Sequence, residues 1–212
     1  MRIACLHTAA SNIGVFEQAA NRLALQDGHL HHVVHPELLE LAEQQGGITP
    51  EITSRTLRII ETLLDEADAV LVTCSTLGTI ADAAQGGFAK PVLRTDRALA
   101  AQALQSGQSV TVLCTAPTTL QPTSDLFRAT YAGSAISPDI RLIDGAWDIF
   151  RAGDNEAYNR MIADAANTAY DQGSQLVVLA QTSMAGAGAL ISHERKVLDA
   201  PTAALLRLTR QD

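Results

Sequence analysis

Charge is scarce in this chain, and the little there is never gathers in one place. Charged residues fill 18% of 212 positions, the formal net charge is −8, and no stretch concentrates Lys or Arg. Neither nucleic acid nor an anionic membrane surface therefore meets the basic footprint it needs, and a small molecule is the better partner. Long hydrophobic runs are also missing, since none approaches the roughly 20 apolar residues that span a bilayer. The opening MRIACLHTAASNIG is too brief in its apolar part for a signal peptide and lacks a cleavage pattern, so it reads as a first β-strand. Cysteine is rare and odd in number. Cys5, Cys74 and Cys114 have neither the spacing of a disulfide framework nor that of a metal-binding pair, which fits a reduced, cytoplasmic thiol protein.

What the chain does have is enough apolar material, 47% of its residues, to bury a proper core in one large domain or in two lobes of about 100 residues each. Short β-branched apolar runs alternate with helical periodicity, the form of an α/β protein with mostly parallel sheets. The runs predict strands near residues 2–7, 29–34, 69–73, 91–94, 109–114, 139–143, 175–180 and 196–199. Three- and four-residue apolar spacing predicts helices over Gln18–Gln26, Glu51–Glu66, Ala98–Gln105 and Ala157–Asp171, with a last helix from Thr202 to Arg210.

Two pairs of segments repeat at a single offset. VLVTCSTLG, Val70–Gly78, falls on VVLAQTSMAG, Val177–Gly186, and IACLHTAAS, Ile3–Ser11, falls on VTVLCTAPT, Val110–Thr118, each 107 positions later. The chain thus reads as an internal duplication. Residues 1–96, with 200–212 returning, form a first α/β lobe, and 97–199 form a second, with a cleft between them. Thr8 then answers to Thr115, Ser11 to Thr118, His7 to Cys114 and Cys74 to Gln181, so a thiol faces an amide.

Ligands of open α/β sheets bind beyond the carboxyl ends of the strands. Four turns there are rich in hydroxyls: Thr8, Ser11 and Asn12; Cys74, Ser75 and Thr76; Thr115, Thr118 and Thr119; Gln181, Thr182 and Ser183. Each precedes a helix, so hydroxyls and free backbone N–H groups offer a carboxylate site without an arginine, although the same residues also serve simply as helix caps. Cys74, between strand and helix, is a candidate base because a helix N-terminus favours a thiolate. A buried cysteine packing as a small hydrophobe is the plainer reading of it. His7 closes the first strand and is a candidate partner for that thiolate. His29, His31, His32 and His35 look like a metal site, but no Cys or acidic ligand converges on them in sequence, so an edge-strand face and no metal are expected. Lys90, Arg94 and Arg97 lie near the end of the fourth strand, where they could meet a distal group of the substrate.

Together the duplicated halves, VLVTCSTLG, HTAASN, TAPTT and VVLAQTSM resemble the aspartate/glutamate/hydantoin racemase superfamily over nearly the whole chain. The resemblance implies two similar lobes, no cofactor, a homodimer, a small carboxylic or amino acid as substrate, and one cysteine from each lobe on opposite sides of its α-carbon. The first motif cysteine matches Cys74. The second motif stands here as Ala180, Gln181 and Thr182, and an amide does not exchange protons near neutrality. The resemblance, with that departure, implies an isomerase of the superfamily with Cys74 as the single proton-transfer thiol and Gln181 as a hydrogen-bond donor. Two-base racemisation would need Cys114 or His7 to supply the second proton. A decarboxylase or other lyase of the same superfamily, and a non-catalytic carboxylate-binding protein, stand as alternatives.

Overall fold

A computed structural model describes residues 1–26, 28–84, 86–192, 194–195 and 197–209. The first half runs β1 (Ile3–His7), α1 (Ser11–Arg22), β2 (Leu30–Val34), α2 (Pro36–Gln44), α3 (Pro50–Glu66), β3 (Ala69–Val72), α4 (Gly78–Ala84) and β4 (Val92–Arg94). The second repeats it after α5 (Thr95–Gln105): β5 (Val110–Cys114), α6 (Pro117–Thr130), β6 (Asp139–Leu142), α7 (Ala146–Arg151), α8 (Asn155–Asp171), β7 (Leu176–Leu179), a 3-10 stretch (Thr182–Leu190) and β8 (Val197–Asp199). The chain then closes with α9 (Ala200–Thr209). Position 196 of the last expected strand, and 210–212 of the expected C-terminal return, lie outside the described residues.

Two four-stranded sheets result, ordered β2-β1-β3-β4 and β6-β5-β7-β8, with every pairing parallel. Identical strand order in the two halves is the structural form of the repeat seen in the sequence. Parallel strands need helices on both faces, and the central strands β1, β3, β5 and β7 are buried throughout. The long helices form as their sequences require. Thr49 accepts the N–H of Ile52 at the head of α3, Pro50 follows at a position that needs no donor, and Ile52, Thr56, Ile60, Leu63 and Leu64 make its buried stripe. Asp154 caps α8 in the same way, over Tyr158, Ile162, Ala163, Ala166 and Ala169.

Several helix expectations shift, α8 among them, which begins at Asn155 ahead of Ala157. The first helix begins at Ser11 rather than Gln18, because the hydroxyl-rich turn itself winds into α1, and it ends at Arg22 instead of running to Gln26. Helix α5 begins at Thr95, ahead of Ala98. The closing helix starts at Ala200. It packs against both α1 and α5, burying Ala204, Leu205 and Leu208 with Ile3, Phe16 and Leu71, while Ala200 and Ala203 join Leu99 and Ala100. No helix among the described residues is long and apolar enough to cross a membrane.

Candidate active site

In a sheet ordered 2-1-3-4 the connections leave β1 and β3 toward opposite faces, so a crevice opens beyond the ends of these two strands. Here that point is marked by Thr8 and Cys74, and in the second sheet by Thr115 and Gln181. A cavity of about 40 Å3 lies between the lobes, lined by Thr8, Ala9, Asn12, Leu39, Thr73, Cys74, Ser75, Thr76, Ala116, Thr119, Trp147, Phe150, Gln181, Thr182 and Ser183. No Lys, Arg or His is among them. The lobes are tied at its floor by two reciprocal hydrogen bonds: the Ser75 hydroxyl donates to the Ala180 carbonyl at 3.5 Å, and the Thr182 hydroxyl to the Thr73 carbonyl at 3.2 Å. Ser75 and Thr182, and likewise Thr73 and Ala180, are partners at the repeat offset, so the pair has the mutual form of a twofold contact.

Cys74 is 8% exposed. Burial raises its thiol above the ordinary value of 9.0, against the Thr8 hydroxyl, the N–H groups of Leu77 and Thr76 and the Thr76 hydroxyl, all of which favour the thiolate. The expectation that the helix end would lower this thiol is corrected. Helix α4 begins only at Gly78, after the turn 75–77, and desolvation outweighs the donors around the sulfur.

Gln181 occupies the matching place in the second lobe. Its Oε1 accepts from the Thr115 N–H at 2.6 Å, the Thr115 hydroxyl at 3.1 Å and the Ala116 N–H at 3.1 Å. The donors that would face a second thiol are thus filled by the amide's own oxygen, and its NH2 group is what remains to donate.

His7 does not pair with Cys74. In register it lies beside Thr73, whose hydroxyl meets its Nδ1 at 2.8 Å, and adjacent residues of an extended chain point to opposite sides, which sends Cys74 toward Thr8 instead. His7 is fully buried, and burial followed by the neighbouring His32 pushes its pKa down to about 3. Cys114 is no second acid either, being buried in β5 with its thiol pushed up to about 12 by burial. Of the other candidates, Thr8, Asn12, Ser75, Thr76, Thr119, Thr182 and Ser183 line the cavity, whereas three do not. Ser11 is exposed at the start of α1, Thr115 holds Gln181, and Thr118 accepts a 3.3 Å bond from Thr76 across the lobes. The cations near β4 are likewise committed elsewhere: Arg94 to Asp96 and Asp82, Arg97 to Asp82, and Lys90 to the Leu64 carbonyl.

Sequence reasoning missed the mouth of the cavity. Trp147 and Phe150 of α7 stack with ring centroids 5.0 Å apart, and Trp147 donates its indole N–H to Glu43 of α2 at 2.9 Å, where Arg151 also arrives. Tyr158, behind them, bridges Thr115 and Ser183 at 2.9 and 2.8 Å. A cavity of this size holds a few waters, at roughly 10–15 Å3 each, but no amino acid, and the α7–α2 contact closes its Trp147 side. Replacing Glu43 by alanine is expected to speed alkylation of Cys74 roughly tenfold or more, since a hydrogen bond to a charged group contributes about 1.5–3 kcal/mol. It should also red-shift the emission of Trp147, the only tryptophan in the chain. Unchanged alkylation would show that this contact does not gate the thiol.

A family model described as Asp/Glu/hydantoin racemase matches residues 7–208. Among solved structures, an aspartate racemase from Picrophilus torridus superposes with a TM-score of 0.72 at 13% identity, over 98% of this chain and 93% of that one. A glutamate racemase isoform from Bacillus anthracis gives 0.68 at 12%, over 98% and 80%. An allantoin racemase from Pseudomonas fluorescens gives 0.61 at 18%, over 98% and 92%. At these identities the likeness is one of fold. No curated protein sequence matches the chain.

Proposed function

The chain belongs to the Asp/Glu/hydantoin racemase family, and from that premise we propose that it is a cofactor-independent isomerase that moves a proton at the α-carbon of a small carboxylic acid from one face only. The observation that carries this reading is the pairing of a cradled thiol, Cys74, with a cradled amide, Gln181, across one cavity. In the first step the Cα–H bond breaks and an S–H bond forms on Cys74, leaving an enediolate whose charge is spread onto the carboxylate oxygens. The Thr119 hydroxyl and the backbone N–H groups of the turns at Thr8, Ser75 and Thr182 bind those oxygens, and the NH2 of Gln181 donates from the opposite side. The S–H exchanges its proton with solvent, and the same sulfur then returns a proton to the same face. Returned to the α-carbon it gives exchange alone, and returned to another atom of the delocalised carbanion it gives a new isomer.

The rest of the cavity narrows the substrate. The described lining carries no cation to match a second carboxylate, and its outer part is Leu39, Trp147 and Phe150, so the α-substituent is uncharged and largely apolar. The Asn12 Oδ1 is buried without a hydrogen-bond partner, an arrangement costing about 1–3 kcal/mol that an amino, ureido or hydroxyl donor on the substrate would relieve. Three free, buried cysteines fit a cytoplasmic setting, and the homodimer implied by the family resemblance belongs to the same reading.

The test is deuterium incorporation at the α-carbon of a panel of amino, hydroxy and ureido acids, read alongside chirality. Washout without inversion is the expected result. Inversion at a comparable rate would show that a second proton donor works from the Gln181 side.

A further inference from the structure

Behind the catalytic turn, on the face of the first sheet covered by α1, lies a cluster that the proposed chemistry leaves unused. Cys5 and His7 share one face of β1, and His32 on the neighbouring edge strand β2 is the direct register partner of Cys5. Their donor atoms all lie within 4.8 Å of one another. Nothing in the order of residues sets a cysteine near the histidine run, and of that run only His32 is involved. Strand parity turns His32 toward Cys5, and parallel pairing brings in a residue 27 positions distant.

The hydrogen bonds around this cluster fix where its protons are. The Thr73 hydroxyl donates to the Leu6 carbonyl at 3.0 Å, so in its 2.8 Å contact with His7 Nδ1 it accepts. The His32 Nε2 lies 2.9 Å from Glu17 Oε1, and a carboxylate only accepts. Each ring therefore spends an N–H outward. The two inward nitrogens, His7 Nε2 and His32 Nδ1, are left as lone pairs facing each other at 2.8 Å, and two lone pairs at that distance need a cation between them. A single proton would serve the two rings, but it would make no use of the thiol beside them.

We propose that Cys5, His7 and His32 form a structural site for a borderline-soft divalent cation, Zn2+ in the first instance. One thiolate and two imidazoles suit Zn2+, which takes such ligands at about 2.0–2.3 Å. The inward nitrogens have to part by only about 0.5 Å to reach the separation of tetrahedral ligands at those bond lengths. The outer bonds to Thr73 and Glu17 are the kind of contact that fixes the tautomer and orientation of metal-bound histidines. On binding, the Cys5 S–H bond breaks, its proton leaves to solvent, and an S–Zn bond forms. The thiolate and the Glu17 carboxylate together then cancel the charge of the ion. Access is along the α1–β2 edge, where the His32 side chain is 11% and Glu17 51% exposed, and a water from that side completes the coordination. The ion pins β1 to β2 directly beneath Thr73, the residue that precedes Cys74 and receives the hydroxyl of Thr182.

The experiment uses the full chain, stripped with a chelator and titrated with Co2+ as an optical stand-in for Zn2+. The expected result is about one ion per chain, with near-ultraviolet thiolate-to-cobalt absorption and the visible bands of a four-coordinate site, both abolished by Zn2+. These bands should persist in Cys74→Ser and Cys114→Ser and vanish in Cys5→Ser. His32→Gln, at the partly exposed rim, keeps the test open if the Cys5 variant fails to fold, and it should weaken binding at least tenfold. Absence of a thiolate band in the wild-type chain, a band that survives Cys5→Ser, or unchanged affinity in His32→Gln would overturn the site and leave a proton as the cation between the rings. None of these readouts depends on turnover, so failure of this site and failure of the proposed isomerase remain distinguishable.

Discussion

Serine at position 74 is expected to abolish α-proton exchange, by about 10²–10⁴-fold, the range over which a positioned acid–base group contributes, while leaving thermal stability close to that of the parent chain. The swap keeps size and hydrogen bonding but replaces an ionisable thiol, held above its ordinary value by burial, with an alcohol that does not ionise in the accessible range. The donors from Thr8, Thr76 and Leu77 would remain around an oxygen that cannot act as the base. The pH dependence of the parent enzyme follows from the direction of the Cys74 shift. Burial holds the thiol above 9.0, so below that value the thiolate fraction, and with it the exchange rate in the free enzyme, should climb about tenfold per pH unit and level off only at more alkaline pH. A plateau already present near neutrality would contradict a desolvated thiol, and exchange persisting in Cys74→Ser would remove the thiol from the mechanism.

Asn in place of Asp96 is expected to be strongly destabilising for so conservative a change. Arg94 and Asp96 are 4% and 1% exposed. They are joined through two bonds, Nε to Oδ1 at 2.6 Å and Nη2 to Oδ2 at 2.7 Å, while Asp82 takes the third nitrogen at 2.6 Å. Burial alone would lower the basicity of Arg94, but the two carboxylates reverse that and hold it firmly protonated. Neutralising one of them strands much of a buried charge, at a cost of about 3–5 kcal/mol. For a chain of this length that is a fall in Tm of roughly 6–20 °C, readable by calorimetry. Replacing Arg94 and Asp96 together with Met and Leu should cost less than the single change, because a removed pair leaves no unpaired charge; a double variant worse than the single would refute that account. The network also reaches the site. A Cβ on Gly78 would stand 2.6 Å from Arg94 Nε, so the first turn of α4 sits directly on the guanidinium, and only glycine leaves room for it. The Thr95 hydroxyl ties the head of α5 to the Val72 carbonyl at 2.9 Å, just before the turn that carries Cys74.

The duplication was readable because the strand ends of the two halves kept their spelling, and spelling at strand ends fixes where parallel sheets place their ligand loops. The hydroxyl turns at Thr8, Ser75, Thr119 and Thr182 could therefore be placed beyond the sheet edges from the residues alone. What depends on direction rather than position was hidden. His7 and Cys74 end neighbouring strands, yet alternation separates them, and nothing in either segment says which way a side chain points once the strand is over. Trp147 and Phe150 lie in a helix of six residues, too short for periodicity to register. Helix α6 carries Pro122 in its interior, a breaker by any local rule, and is held by the burial of Leu126 and Phe127 against the second core. The Cys5–His7–His32 cluster draws on two strands whose pairing is a long-range event. Gln181 was legible as an amide, but its capture by Thr115 and Ala116 was not.

The crossed bonds from Ser75 to Ala180 and from Thr182 to Thr73 staple the two turns that carry Cys74 and Gln181 to each other. Their spacing is therefore set by contacts that do not pass through the α7–α2 rim, and substitutions at Trp147 or Glu43 should change how readily a reagent reaches the sulfur without changing how far it stands from the amide.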